Sequence, residues 1–158
     1  MDFEAIYKQY SPGIFRVCMA YLNDHEQAQD VMQETFIAVW QNISSFRNEA
    51  NINTWIYRIA TNNCLKAVKK QKRNPVTELP VELAHVQEES KESELHYLYK
   101  CIGELDETDR IIISLVLENL PQAEIAAISG LSEINTRVKI HRIKAKLSEK
   151  FKAHGQFR

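Results

Sequence analysis

Hydrophobic spacing is sharpest near the C-terminal end. Thr136, Ile140, Ile143 and Leu147 fall on one face of a helix, while Asn135, Lys139, Arg142 and Lys146 fall on another. Upstream, Glu124, Ile125, Ala126 and Ala127 fit a preceding helix. Gly130 breaks it, since glycine takes the left-handed geometry that a tight inter-helix turn needs. Ser132 then offers an N-cap hydroxyl to the second helix. Residues 122–147 therefore predict a helix-turn-helix whose second helix turns an apolar stripe to its partner and a cationic stripe outward. A reader of the DNA major groove requires that arrangement. An ordinary basic surface helix would share the stripe but not a turn and a cap at these positions.

The N-terminal half predicts helices over 2–10, 12–22, 25–43 and 52–73. In the third, Ala28, Val31, Met32, Thr35, Phe36, Val39, Trp40 and Ile43 form a wide apolar face suited to the core. The opposite face carries Asp30, Gln33, Glu34, Ile37 and Gln41. An outward isoleucine among carboxylates suits a protein interface, with burial from the one and orientation from the other. A solvated face explains the carboxylates equally well. In the fourth helix, Ile52, Ile56, Ile59, Ala60 and Ala67 form the core side, and Trp55, Arg58, Asn62, Lys66, Lys69 and Arg73 lie opposite, with Leu65 among them. The preceding loop adds Phe46, Arg47 and Asn48, so Phe46, Trp55 and Tyr57 surround a basic patch. Aromatic rings stack on unpaired bases, cations follow phosphates, and an amide such as Asn62 can bond a base edge. The patch points to single-stranded or opening DNA. Trp55 and Tyr57 as core, with solvated lysines, is the plainer alternative.

Charge sharpens this picture. The net charge of −1 hides segregation: residues 1–46 carry −4, 47–73 carry +6, 74–109 carry −8 and 110–158 carry +5. Two basic blocks separated by an acidic one predict two contacts with a polyanion. Residues 74–93, with two prolines and several carboxylates, read as a linker between an N-terminal domain (1–73) and a C-terminal one (94–158). Few glycines and prolines, four of each, and 44% hydrophobic residues predict an all-α protein with real cores. Cys18, Cys64 and Cys101 form no CxxC pair and read as small core residues. The five histidines show no metal-ligand spacing, and no nucleophile, general-base pair or phosphate loop appears, so neither enzyme activity nor a cofactor or metal is expected. The start MDFEAIYKQY lacks a signal pattern, and no apolar run reaches the length of a membrane helix, so the chain is expected in the cytoplasm.

Two blocks carry a family resemblance. The first is AQDVMQETF at 28–36, followed by FRNEANINTWIYRIATNNCLK at 46–66. The second is LDETDRIIISLVLENLPQAEIAAISGLSEINTRVKIHRIKAKL at 105–147. In that order and separation they resemble the extracytoplasmic-function group of bacterial sigma factors, small members of the sigma-70 family. The resemblance implies a region 2-like domain in which Asp30, Gln33, Glu34 and Ile37 dock on the β′ clamp of core RNA polymerase. There Phe46, Arg47, Asn48, Trp55, Arg58, Asn62, Lys66, Lys69 and Arg73 would capture the −10 strand, with a base flipped near Phe46 and Asn62. It implies a region 4-like domain in which Ser132, Glu133, Asn135, Arg137, Lys139, Arg142 and Lys146 read the −35 element and the outer surface holds the β flap. An anti-sigma partner is also implied. Three departures stand out: Ile134-Asn135-Thr136 replaces the usual Thr-Val opening of the recognition helix, Leu120-Pro121 precedes the first helix, and Arg47-Asn48-Glu49 replaces an Arg-Gly-acid loop. A stand-alone helix-turn-helix regulator and a protein-interaction module are the competing classes.

Overall fold

A computed structural model describes residues 2–48, 51–73 and 91–156. Among them every regular element is helical: α1 (Phe3–Leu22), α2 (His25–Asn42), a 3-10 turn (Ile43–Ser45), α3 (Ile52–Arg73), α4 (Lys91–Gly103), α5 (Glu107–Leu117), α6 (Gln122–Ser129) and α7 (Glu133–Gln156). Local chemistry sets the ends. Asp2, Asp24 and Asp106 each accept a backbone N–H from the first turn of α1, α2 and α5, the N-cap role of a short carboxylate. The Asn51 side chain accepts from the Asn53 N–H in the same way at the start of α3.

The expected break between 10 and 12 does not occur. Pro12 lies inside a continuous α1, on its exposed side, while Ile6, Ile14, Val17 and Tyr21 bury the opposite stripe. Burying four large side chains at about 1.5–3 kcal/mol each outweighs the roughly 3 kcal/mol penalty of an interior proline. Of the expected linker, 74–90 lies outside the described residues, and α4 opens at Lys91.

α1 is the shared helix. It packs on α2 and α3 on one side and on α4 and α5 on the other, while α6 packs against α3. One continuous core results, running from Ile14, Val39 and Ile56 through Ile102, Ile112 and Leu115 to Ile143. The three cysteines belong to it, all at most 2% exposed. Cys64 lies 3.8 Å from Cys18, and that sulfur contact together with burial pushes its thiol up. Shielded from solvent, all three act as small core residues.

Where the halves meet, the approach is tight. A Cβ on Gly13 would stand 2.5 Å from the Tyr57 hydroxyl and 3.1 Å from Glu118 Oε1, so any larger residue there forces those side chains to shift. Arg16 Nε donates to both Glu118 oxygens at 2.8 Å, and the Glu118 side chain is 6% exposed. Burial, reinforced by the nearby Glu118 carboxylate, pushes the Tyr57 phenol up to about 12.

Candidate nucleic-acid interface

The N-terminal face begins where α2 ends. The 3-10 turn delivers Phe46, whose ring stacks on Trp55 at 4.8 Å between centroids and 27° between planes. Around this pair a groove of about 470 Å³ is lined by Ala38, Asn42, Ser45, Phe46, Arg47, Trp55 and Ile59. Asn48 has φ +55°, the left-handed region. Asparagine tolerates that conformation better than most residues, which explains how Arg47-Asn48-Glu49 can stand where the family more usually has glycine. Down α3, Trp55, Asn62, Lys66, Lys69 and Arg73 fall on one stripe, and Ile59, expected on the core side, is half-buried among them and lines the groove. Asn62, Lys66, Lys69 and Arg73 are exposed, while Trp55 is half-buried under Phe46. Tyr57 is buried at 6% and cannot serve as a stacking surface, a correction to the sequence reading.

Part of this face is engaged by the other half. An Arg58 guanidinium N–H donates to the Ala127 carbonyl at 2.8 Å, and the Asn51 amide donates to Glu124 at 3.0 Å. Lys72 pairs with Glu107 at 3.1 Å. α6 thus covers the first turns of α3, whereas Asn62, Lys66 and Lys69 further along the helix are exposed.

The structure places Asp30, Gln33, Glu34 and Ile37 together on the exposed side of α2, with Ile37 55% exposed. Asp30 and Glu34 face Lys66 and Lys70 of α3 across a groove of about 500 Å³. Gln33 and Ile37 line a second, more apolar groove with Phe3, Tyr7, Phe36 and Trp40. Trp40 was expected in the core but is 62% exposed. Helical periodicity put it at the margin of the apolar face, and among the described residues it stays open to solvent. It extends the candidate protein interface, and an apolar side chain beside Ile37 was the signal that could have shown it.

The helix-turn-helix forms as the sequence predicts. Gly130 ends α6 at φ +76°, and its N–H bonds the Ala126 carbonyl at 2.9 Å. Pro121 caps α6 without a side-chain bond, one position ahead of the first helical residue. Ser132 Oγ accepts from the Asn135 N–H at 3.1 Å and opens α7. Thr136, Ile143 and Leu147 are buried, with Ile140 packed beside them. Glu133, Asn135, Arg137, Arg142 and Lys146 are exposed. Lys139 is half-buried, its ammonium 3.8 Å from Asp109. At that distance the contact is an ion pair and not a hydrogen bond. The expected cationic stripe therefore leans toward α5 and flanks the outermost line of α7.

Among the described residues, no group of three or more His, Cys, Asp and Glu is placed to hold a metal ion, and no helix is long and apolar enough to cross a membrane.

Comparison with known proteins agrees with this geometry. The Sigma-70 region 2 family matches residues 6–74 and the Sigma-70 region 4 family matches 95–147. The chain is similar to the ECF RNA polymerase sigma factor SigW of Bacillus subtilis, 38% identical over 40% of this chain and 34% of SigW. It therefore spans about a third of that relative. It is also similar to the RNA polymerase sigma factor YlaC of the same organism, 27% identical over 92% of this chain and 90% of YlaC. The fold resembles the sigma factor RpoE of Bartonella quintana, solved with the anti-sigma factor NepR, with a TM-score of 0.80 over 96% of this chain and 97% of that one at 22% identity. With both regions present in order on helices that present two separate cationic faces, the chain belongs to the extracytoplasmic-function group of the sigma-70 family.

Proposed function

We propose that this chain binds core RNA polymerase, directs it to specific promoters and promotes DNA opening. The observation that carries the proposal is the coexistence on one chain of an aromatic-lined groove leading onto a cationic helix and a helix-turn-helix with a second cationic face. A stand-alone regulator needs only the second.

On this reading residues 1–73 form the polymerase and −10 module, 94–158 with the first turn of α4 from Lys91 form the −35 module, and 74–90 tether them. Asp30, Gln33, Glu34 and Ile37, joined by Trp40, dock on the β′ clamp, and the outer C-terminal surface meets the β flap. Opening DNA costs stacking and pairing, and a strand held by the groove at Phe46, Arg47, Asn48 and Trp55 offsets that cost. Asn62 bonds a base edge, while Arg58, Lys66, Lys69 and Arg73 follow phosphates. Arg58 is held by the Ala127 carbonyl, so its part requires α6 to move away. Ser132, Glu133, Asn135, Arg137, Lys139, Arg142 and Lys146 lie on the duplex-reading side. Two modest contacts joined by a tether become selective when promoter spacing matches the distance polymerase imposes. The chain's own contribution is binding and not catalysis, it acts in the cytoplasm without a cofactor, and it has an anti-sigma partner of the kind RpoE carries.

Transcription of genomic fragments by core polymerase, with and without the chain, tests the proposal. The expected result is a new set of discrete transcripts that share two upstream elements at fixed spacing. Unselective transcription in both reactions would overturn it.

A further inference from the structure

The outermost line of α7 is apolar. At 100° per residue, the buried positions Thr136, Ile143 and Leu147 define the inner side, and Ile134, Val138 and Ala145 fall opposite. Ile134 is 66% exposed and Val138 41%. One turn apart, they form a single apolar ridge on the first two turns of α7. Exposed cations stand on both sides, Arg137 and Lys144 on one and Arg142 and Lys146 on the other. α7 packs chiefly on α4, α5 and α6, and the ridge stands exposed away from those contacts.

Chemistry selects the occupant. An isolated exposed aliphatic residue needs no explanation, but two at the leading end of the second helix of a helix-turn-helix occupy the positions that enter the major groove. Cations bracketing the ridge match the phosphates on either wall of that groove, which argues for duplex DNA over an apolar protein surface. Within the groove an aliphatic side chain can make only one distinguishing contact, with the C5-methyl of thymine. Resting on the function proposed above, we infer that Ile134 and Val138 are specificity-determining residues that read thymine methyl groups in the upstream promoter element. The same positions make the Ile134-Asn135-Thr136 departure from the family pattern a change in what is read and not a loss of reading.

The test uses holoenzyme assembled from core polymerase and the full chain. Upstream elements are selected from a duplex library randomised at those positions. Each selected thymine is then replaced by deoxyuridine, which removes the methyl and leaves base pairing intact. Burial of one methyl predicts about a fourfold loss of affinity at a contacted thymine. That loss should disappear in Ile134→Ala at one position and in Val138→Ala at another. Both side chains are exposed, so neither variant threatens the fold. An enriched element indifferent to every thymine-to-uracil change would overturn the inference while leaving the promoter-binding function standing. Enrichment of no upstream element at all would overturn both.

Discussion

The two cationic faces carry similar charge and are built in opposite ways. On α3 the aromatic pair Phe46 and Trp55 sits at one end and Lys66, Lys69, Lys70, Lys72 and Arg73 crowd the other. Rings and cations follow one another along a line. On α7 the cations flank an apolar ridge on both sides. A line of rings then charges suits a flexible strand whose bases turn out while its backbone runs on. A ridge between charges suits a rigid groove between two phosphate walls. Coverage differs as well. α6 lies over the start of α3 and holds Asn51 and Arg58, whereas the outward line of α7 is open. In the arrangement seen, Asn51 and Arg58 at the first turns of α3 are engaged by α6 while the Phe46–Trp55 groove beside them stays open. Net charge would have treated the two faces as equivalent, and the placement of apolar side chains separates them.

The largest expected effect tests the strand-capturing face. Phe46→Ala and Asn62→Ala should impair promoter opening by up to roughly 3 kcal/mol, as loss of a base-stacking or base-edge contact does, while leaving closed-complex binding almost unchanged. Permanganate reactivity of the opened thymines reads the first and a footprint reads the second. Normal opening in both variants would remove the distinction between the faces.

Coverage of α3 is tested by Gly13→Ala. The added methyl meets Tyr57 and Glu118 where the halves join. Overpacking of about 1–3 kcal/mol exceeds the gain of roughly 0.5–1 kcal/mol from replacing glycine within a helix, so a net loss is expected in a thermal melt. A more stable variant would mean that the junction yields freely.

On α7, Arg142→Ala should weaken binding to the selected upstream element and to unrelated duplexes alike, as loss of a phosphate contact does. A loss confined to the selected element would instead make Arg142 a base reader and remove it from the phosphate wall. The smallest effect sharpens the comparison from outside both DNA faces. Asp30→Ala with Glu34→Ala should weaken polymerase binding severalfold, in the manner of rim charges, with an unchanged circular dichroism spectrum. Unchanged affinity would remove these carboxylates from the docking face.

Much of α7 was legible because its environment is local. Gly130, Ser132 and the spacing of Thr136, Ile143 and Leu147 sit within one supersecondary unit, and the structure reproduces each. The α3 stripe was legible for the same reason. Trp40 and Tyr57 were misplaced because their burial depends on elements far away in sequence: Tyr57 is buried at the junction with Gly13 and Glu118, and Trp40 is left exposed at the rim of a groove with Phe3 and Tyr7. Pro12 misled for a related reason. Its local tendency to end a helix is overridden by the core that α1 forms with four other helices. Engagement of Arg58 by Ala127, 69 positions away, could not be read from a helical wheel at all.

On the function proposed, the chain is a polymerase subunit that carries two DNA faces and not a DNA-binding protein in its own right. Native mass spectrometry of the full chain mixed with core RNA polymerase, without DNA, tests it most directly. The expected result is a one-to-one complex that persists at dilution. Free polymerase beside a chain that binds duplex DNA unaided would contradict it and identify a stand-alone regulator.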